Sequence, residues 1–195
     1  MEPEVKLYKH ALLHGHSSIR LMTLLPGVRG TPLKCHITEH QDHSDTPYDA
    51  LSYTWGESLP SESIAVCQSA NSEHADGYIS ITPNLSEALL RLRSDDTPRI
   101  LWIDALCINQ DDLQEKAQQV AHMGRVYSGA SQVVVWLGED EAFPRTRALL
   151  TQDGRNRWPL TLPEVDLGEL VSIPWWVRIC FNLYSQLDLL ADVHC

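Results

Sequence analysis

The sequence predicts an α/β domain built on a largely parallel central sheet. Between residues 82 and 137 the apolar spacing switches from helical to strand-like, then to helical and strand-like again. Before residue 56 the chain contains short apolar or alternating runs, separated by Pro and Gly, that are typical of strands. A helix that connects two buried strands indicates a right-handed βαβ unit, and we expect this unit to form the core of the fold.

The N-terminal region is predicted to be a β-rich extension followed by a hairpin. Three strand-like runs come first: Ile19 to Leu25, Leu33 to Thr38 and Asp49 to Trp55. Two short alternating runs follow, Ser63 to Cys67 and Tyr78 to Thr82. Because a polar linker joins these two runs, we expect a hairpin whose long loop leaves the register of its strands open.

Helices and strands are predicted to alternate in the next part of the chain. Leu85, Leu89 and Leu92 fall at helical spacing, and Thr82 and Pro83 before them suit the N-cap and the first helical position. The predicted elements are a helix from Pro83 to about Arg93, a strand from Ile100 to Leu106, a helix from Asp111 to Tyr127 and a strand from Gln132 to Leu137. Beyond Gly138 we expect a short helix around Arg145 to Leu150 and a segment rich in helix formers from Leu167 to Cys195.

The long helix is expected to pack an apolar face on the sheet. At about 100° per residue, apolar residues gather on one face and polar residues on the other. The face predicted to be buried carries Leu113, Ala117, Val120, Gly124 and Tyr127, and the other carries Glu115, Gln118, Gln119 and His122. At the helix start, a capping box is expected from Asp111 with Gln114 or from Asp112 with Glu115.

Composition argues against several functional classes. With 15 basic and 26 acidic residues among 195, the formal net charge is −11, which opposes the counterion release that drives nucleic-acid binding. No stretch approaches the roughly 20 apolar residues of a membrane span, and the start of the chain does not resemble a signal peptide. We therefore expect a cytoplasmic protein without a nucleic-acid partner or a membrane span.

Cysteine and histidine usage indicates neither disulfides nor metal. The 5 cysteines are odd in number and lack a CxxC pair, which is typical of reduced thiols in a cytosolic or nuclear compartment. The 9 histidines lack the HExxH or paired Cys/His spacing that a metal site requires. The sequence therefore predicts no metal and no resident cofactor.

A cluster of functional groups follows the strand that begins at Ile100. Asp104 lies near the predicted strand end, and Asn109 and Gln110 come shortly after it. Because open α/β sheets bind ligands at the carboxyl ends of their strands, Asn109 and Gln110 are candidate ligand-binding residues. Asp104 and Glu115, in the first turn of the next helix, are the candidate catalytic carboxylates. The alternative is that Glu115 caps the helix and Asp104 fastens a neighbouring loop.

Cys107 is predicted to be a small buried core residue rather than a nucleophile. A cysteine nucleophile requires a base nearby, and His122 would be the candidate, with Asp104 to orient it. At 1.5 Å per residue, His122 lies about 15 Å along the helix from its start, which is too far. Packing is therefore the expected role of Cys107.

A second motif, Tyr48 to Glu57, is predicted to reach the same crevice. Its Gly56 permits a sharp exit from the strand. In the functional interpretation, Ser52, Trp55 and Gly56 bind a ligand, with the Trp55 ring stacked on a base or a nicotinamide. In the alternative interpretation, the motif is a core strand with aromatic packing.

Together these motifs resemble the fungal heterokaryon incompatibility (HET) domain. They follow one another in the order typical of that family, over about residues 48–180, with a β-rich lead-in at 1–47 and a tail at 181–195. The motifs are Tyr48 to Gly56, Ile81 to Leu85 with Ala88-Leu89, Leu101 to Gln110, Glu115 with Gln119, Met123 and Tyr127 to Ala130, and Val135 to Gly138. Upstream, Ile19-Arg20-Leu21 and Pro26-Gly27 resemble the lead-in common in that family.

The resemblance implies a signalling domain of filamentous fungi. Such domains act in self/non-self recognition and trigger programmed cell death when genetically different hyphae fuse. The family is distantly similar to TIR domains, so the implied fold is a TIR/flavodoxin-like three-layer α/β fold. The implied partners are further copies of the chain or other signalling proteins of the HET or NLR type.

The resemblance to TIR domains also implies a chemistry. Some TIR domains cleave NAD with a helix-borne Glu that stabilises an oxocarbenium-like centre on the nicotinamide ribose. By this analogy NAD is the candidate substrate and Glu115 is the corresponding carboxylate. A non-catalytic adaptor that acts by homotypic assembly is the alternative.

The carboxyl end departs from the family pattern. After Pro174 to Ile179 the family usually continues with an aromatic residue and a Gln-Glu pair, whereas this chain continues with Cys180-Phe181-Asn182-Leu183. We therefore expect a divergent or truncated C-terminus. If the missing Glu belongs to the active site, the resemblance implies an inactive family member.

Overall fold

A computed structural model describes residues 6–15, 17–41, 46–53, 55, 59–69, 72 and 74–136. The chain divides into two compact units, Met1–Trp136 and Leu137–Cys195, and every described residue belongs to the first. The predictions for Arg145 to Leu150 and for Leu167 to Cys195 lie outside the described residues.

The described residues form one seven-stranded sheet with the order β5-β4-β2-β1-β6-β3-β7. Every strand predicted from the sequence is present, with shifts of a few residues at the ends. The strands are β1 (Ile19–Leu24), β2 (Lys34–His40), β3 (Asp49–Tyr53), β4 (Glu62–Cys67), β5 (Ala75–Ile81), β6 (Arg99–Trp102) and β7 (Gln132–Trp136). The helices are α1 (Pro83–Leu92), the short α2 (Asp104–Cys107) and α3 (Leu113–Gly129).

The sheet is mixed rather than largely parallel, which corrects the sequence-based expectation. Three neighbouring pairs are parallel, namely β2 with β4, β3 with β6 and β3 with β7. The other three are antiparallel, including the predicted hairpin of β4 and β5. The reason is that consecutive strands joined by a short connection pair antiparallel, as β1 and β2 do, whereas parallel pairing needs a long crossover.

The predicted βαβ unit exists, but its two strands are not neighbours. β6 and β7 both pair in parallel with β3, which lies between them. The crossover through α2 and α3 therefore passes over one strand. Three parallel strands, β6, β3 and β7, thus end at the same edge of the sheet.

The strand β1 lies at the centre of the sheet and is covered on both faces. It pairs with β2 over its whole length and with β6 through Met22 to Leu24. Ile19, Arg20, Leu21 and Met22 are all buried although alternate residues point to opposite faces. A buried arginine in this position requires a partner within the fold.

The helix α1 confirms the predicted N-cap. The Thr82 hydroxyl accepts the N–H of Leu85, and Pro83 occupies the first helical position. The helix buries Leu85, Ala88 and Leu89, in agreement with the predicted helical spacing. Just beyond its end, the Arg93 guanidinium donates to the carbonyls of Val28, Thr31 and Pro32 and so fastens the connection between β1 and β2.

The strand β6 ends at Trp102, four residues before the predicted end at Leu106. The chain turns into α2 instead, because the N–H groups of Leu106 and Cys107 both donate to the carbonyl of Ile103. Cys107 is buried, as predicted, and burial raises the pKa of its thiol to about 12. A thiol that stays protonated at neutral pH suits packing rather than nucleophilic chemistry.

The start of α3 is capped by Asp112 alone. Its Oδ1 accepts the N–H groups of Gln114 and Glu115, each at 3.0 Å. The predicted capping box is incomplete because the Glu115 carboxylate accepts the N–H of Asn109 rather than that of Asp112. The Asp112 N–H donates to the Asn109 carbonyl instead.

The prediction of the buried face of α3 is wrong for Leu113, Ala117 and Val120, which are exposed, whereas Tyr127 does pack edge-on against the buried Trp102. Glu115, Gln119 and Val126 are the buried residues of this helix. Leu113 and Val120, which the apolar spacing assigns to the sheet, are 79% and 49% exposed. The helix is rotated because its buried polar side chains are hydrogen-bonded to residues at and just before the start of β1.

Candidate functional site

Trp55 and Asp104 meet at the carboxyl edge of the parallel strands β3 and β6. Because Ala50 pairs with Trp102, the two strands leave the sheet side by side towards these residues. The indole N–H of Trp55 donates to the Asp104 carboxylate, with Nε1 at 3.3 Å from each oxygen. Trp55 is 37% exposed and Asp104 only 6%, so an accessible aromatic ring borders a buried carboxylate.

Asp104 is held by its own turn and by Gln110. Its Oδ1 accepts the N–H of Ala105 at 2.8 Å, and its backbone carbonyl accepts the Gln110 side-chain N–H at 2.9 Å. The carbonyl oxygen of the Gln110 side chain is buried and has no hydrogen-bond partner among the described residues. An unsatisfied buried acceptor costs about 1–3 kcal/mol, so this oxygen is suited to a ligand that brings an N–H or O–H group.

Glu115 forms a buried bidentate ion pair with Arg20 of β1. The two guanidinium nitrogens donate to the two carboxylate oxygens at 2.5 and 2.9 Å. Arg20 is 3% exposed and Glu115 8%, so both charges are removed from water and neutralise each other. This pair explains why Glu115 points towards the sheet.

Other polar groups around the ion pair complete its hydrogen bonding. Glu115 accepts the N–H of Asn109 at 2.8 Å, and Arg20 donates to the carbonyls of Cys107 and Ala11. One turn along α3, the Gln119 side chain donates to the carbonyl of Ser18 at 2.9 Å. The polar face of α3 is therefore bonded to the segment at and just before the start of β1.

The electrostatics of the site keep Glu115 ionised. Burial raises the pKa of Glu115, but the hydrogen bonds from Arg20 and Asn109 outweigh burial and hold the pKa below its usual value. Burial, followed by the positive charge of Arg20, lowers the pKa of nearby His10 to about 4. At neutral pH the site thus contains an ionised carboxylate, a guanidinium and a neutral imidazole.

A groove of about 220 Å³ lies between the N-terminal segment and the start of α3. Glu115 and Gln119 both contribute to the wall of this groove. The side-chain carbonyl oxygen of Gln119 is buried and has no hydrogen-bond partner among the described residues. The lining residues are Leu12, Leu13, His14, Gly15, Asp112, Gln114, Glu115, Gln118 and Gln119.

The residues selected from the sequence form two adjoining clusters rather than one crevice. The first joins Trp55, Asp104 and Gln110, and the second joins Asn109 and Glu115. Apart from Trp55, both clusters lie within residues 104–115, which comprise α2, the loop after it and the start of α3. Ser52 is on β3, two residues beyond the Ala50 that pairs with β6, and Gly56 lies outside the described residues.

Sequence reasoning missed Arg20 and His10 as parts of this site. Arg20 did carry a signal, since a charged residue inside the apolar run Ile19 to Leu25 must find a partner if that run is a buried strand. His10 carried none, because its burial results from contacts between distant segments of the chain.

Comparison with known proteins assigns the family. The family model for the Heterokaryon incompatibility protein (HET) matches residues 48–164, which is more than half of the chain. The chain belongs to the HET family. It is also 40% identical over 134 residues to Heterokaryon incompatibility protein 6, OR allele, of Neurospora crassa, an alignment that covers 66% of this chain. No solved structure matches the chain.

The HET match includes most but not all of the site. Trp55, Asp104, Gln110 and Glu115 lie within residues 48–164, whereas Arg20 lies upstream. This chain spans about a fifth of the length of the Neurospora relative, because the alignment covers 20% of that protein.

The described residues of the HET domain contain neither a cluster of metal ligands nor a membrane-spanning helix. No three His, Cys, Asp or Glu side chains there are grouped to hold a metal ion. The helices of the same residues include none with the length and apolar character needed to cross a membrane.

Proposed function

We propose that this HET domain acts in fungal heterokaryon incompatibility, as a signalling module of self/non-self recognition and programmed cell death. The observation that carries the proposal is membership of the HET family, together with the 40% identity to a protein named for heterokaryon incompatibility. Since the chain spans only a fifth of that relative, the proposal concerns the signalling domain and leaves aside what the rest of the relative does.

We further propose that the crevice at Trp55 and Asp104 binds a nucleotide and hydrolyses NAD, as some TIR domains do. The exposed Trp55 ring offers a surface on which a flat base or nicotinamide stacks. The Asp104 carboxylate lies beside that ring and is suited to stabilise positive charge on a ribose carbon. The side-chain carbonyl oxygen of Gln110, which has no hydrogen-bond partner within the described part of the chain, is suited to accept a carboxamide N–H.

The reaction in this proposal is a hydrolysis of the bond between ribose and nicotinamide. The glycosidic C–N bond breaks, and nicotinamide leaves with the electron pair. Water then adds its oxygen to the ribose carbon and releases a proton to solvent. Asp104 and Glu115 are the proposed carboxylates, with Asp104 nearer the substrate because it borders the exposed Trp55 ring, whereas Glu115 is paired with the buried Arg20.

We also propose that the domain has a TIR/flavodoxin-like arrangement of strands and helices. The parallel strands β6, β3 and β7, with α2 and α3 in the crossover, supply the sheet edge that a TIR/flavodoxin-like arrangement uses. Self-association, or assembly with other signalling proteins of the HET or NLR type, is the proposed mode of signalling. A cytoplasmic location fits this mode.

One observation favours the alternative, a non-catalytic adaptor. The helix-borne Glu115, which the TIR analogy selects, is locked in a buried ion pair with Arg20. A carboxylate in that position stabilises the fold without any contact with a substrate. In the adaptor, homotypic assembly alone would transmit the signal.

The test measures nicotinamide released from NAD by the purified full chain at high protein concentration. Asp104→Asn removes the charge at the crevice and keeps the shape of the side chain. Asp112→Asn is the matched control. Asp112 caps α3 and lies outside the Trp55 crevice, and Asn caps a helix as well as Asp does. We expect release by the wild type and the control and a loss of about a hundredfold in Asp104→Asn.

Killing of fungal cells that express each variant completes the test. If the wild type kills while releasing no nicotinamide, NAD hydrolysis is wrong and the adaptor is supported. If Glu115→Gln abolishes killing while assembly is normal, the adaptor is contradicted. If the wild type neither kills nor alters the viability of fused hyphae, the incompatibility function itself is contradicted.

A further inference from the structure

We propose that Arg20 is a positioning residue, which holds the loop between α2 and α3 and thereby sets the geometry of the Trp55–Asp104 crevice. The functional unit would then include the lead-in strand β1, upstream of the segment that matches the HET family. The functional arm of the test rests on the proposed NAD hydrolysis, whereas the structural arm is independent of it.

The contacts of Arg20 join segments that are far apart in sequence. Its guanidinium bonds to both oxygens of Glu115, to the Cys107 carbonyl at 3.1 Å and to the Ala11 carbonyl. Glu115 in turn holds the N–H of Asn109. One side chain therefore ties together the N-terminal segment, the end of α2 and the start of α3.

These ties flank the residues that hold Asp104. Cys107 and Asn109 bracket Ile108, whose N–H donates to the Asp104 carbonyl, and Gln110 donates to the same carbonyl. A displacement of the loop would therefore move the backbone of Asp104. Its carboxylate, and with it the contact to Trp55, would move too.

The contribution of the ion pair to stability does not by itself explain this arrangement. Replacing both members of a buried ion pair by apolar side chains of similar size is often neutral or stabilising. An apolar pair cannot hold the Cys107 carbonyl or the Asn109 N–H, however. A double apolar replacement therefore separates the positioning of the loop from the stability of the fold.

The experiment compares the double variant Arg20→Met/Glu115→Leu with the wild-type full chain. The matched control is Arg99→Met/Asp49→Leu, which removes the ion pair between β6 and β3, where Arg99 Nη2 lies 2.8 Å from Asp49. That pair lies at the start of both strands, at the opposite end from the crevice. Thermal unfolding first establishes that each variant is folded.

The structural arm follows the Trp55 indole N–H and the Ala105 amide by NMR without any ligand. Both donate to Asp104, and neither is bonded to Arg20 or Glu115. In the Arg20→Met/Glu115→Leu variant we expect both resonances to shift and their hydrogen exchange to become at least tenfold faster. We expect the control to leave both unchanged. Unchanged resonances in a folded Arg20→Met/Glu115→Leu variant would overturn the proposal.

Arg20→Lys provides a second variant in case the double replacement does not fold. Lysine keeps the charge but cannot form the bidentate pair and bond both carbonyls. We expect the same shifts of the two resonances, and wild-type spectra for Arg20→Lys would equally overturn the proposal.

The functional arm measures nicotinamide release, with an expected loss of at least tenfold in Arg20→Lys and none in the control. If the two resonances shift as expected but the wild type itself releases no nicotinamide, only the proposed hydrolysis fails. If Arg20→Lys shifts the resonances and retains full activity, Arg20 does not position the reacting groups and the proposal is wrong.

Discussion

At the scale of single residues, buried charge determines which side chains occupy the interior of this domain. Arg20 is the one guanidinium among the described residues that is buried, and it is bonded by a carboxylate and two carbonyls. Removing one partner of such a pair leaves an uncompensated buried charge and costs about 3–5 kcal/mol. Glu115 and Gln119 are buried on α3 because they serve this part of β1.

A pH dependence is predicted for His10, whose pKa is lowered to about 4 by burial and then by Arg20. The folded state binds this proton less readily than the unfolded state, whose histidine titrates near 6.5. Stability therefore falls as the pH drops from about 6.5 towards 4. The charged groups that act on His10 are Arg20, Glu115 and Asp111.

His10→Phe tests this prediction, since it removes the titrating group and keeps an aromatic ring beside Tyr8. We expect the melting temperature of the variant to fall less than that of the wild type between pH 7 and pH 4.5. His40, whose pKa is also lowered by burial, is present in both proteins and cancels in the comparison. Parallel pH profiles for the two proteins would contradict the prediction.

At the scale of elements, α3 shows where hydrophobic periodicity stops being informative. The apolar Leu113 and Val120 of this helix are exposed, whereas Glu115 and Gln119 are buried. Periodicity assumes that apolar surface alone determines how a helix is rotated. Here hydrogen bonds to a buried strand determine it. In contrast, the helix α1 buries the apolar residues Leu85, Ala88 and Leu89, in agreement with its apolar spacing.

The rotation of α3 predicts different effects of one substitution at two positions of the helix. Val126 is 1% exposed and Val120 is 49% exposed. Val126→Ala should lower the free energy of unfolding by about 2 kcal/mol, from two lost methyl groups and a cavity. Val120→Ala should change it by no more than about 0.5 kcal/mol.

Urea denaturation of the two variants is the measurement, and each serves as the control for the other because the helix and the substitution are the same. The apolar spacing of the sequence predicts the reverse order. A larger decrease in the free energy of unfolding for Val120→Ala than for Val126→Ala would therefore contradict the rotation of the helix and support the face predicted from the apolar spacing.

At the scale of the whole molecule, the segment upstream of the family match belongs to the centre of the sheet. β1 and β2 lie between β4 and β6, and β1 is buried on both faces. A strand in this position contributes backbone hydrogen bonds on both sides and apolar contacts on both faces. The lead-in predicted at 1–47 is therefore joined to the same core as the matched segment.

Removal of this segment is predicted to prevent folding. A chain that begins at Tyr48, near the start of the family match, lacks β1 and β2 and exposes the edges of β4 and β6. We expect it to show no cooperative thermal transition by circular dichroism and to aggregate. A chain that begins at Lys6 is the control and should unfold cooperatively. Cooperative unfolding of the shorter chain would show that β1 is dispensable.

The local features of this protein could be read from the sequence. Each strand, the cap of α1 and the burial of Cys107 follow from residue patterns that span fewer than about 20 neighbouring positions. The family resemblance follows from several such short motifs in a fixed order along the chain. The sequence also placed Asp104, Asn109, Gln110 and Glu115 close together between a strand and the start of the next helix, and the structure links them there by hydrogen bonds. Local patterns suffice for these features because nearby residues alone determine turns, caps and alternation.

The tertiary structure alone decided the strand order, the mixed character of the sheet, the rotation of α3 and the division of the site into two clusters. Each of these depends on contacts between distant residues, such as Arg20 with Glu115, which are 95 positions apart. No local sequence pattern predicts which carboxylate will pair with a buried arginine. The pairing is determined when the strands assemble, because the free energy of a buried charge depends on which groups the rest of the fold places beside it.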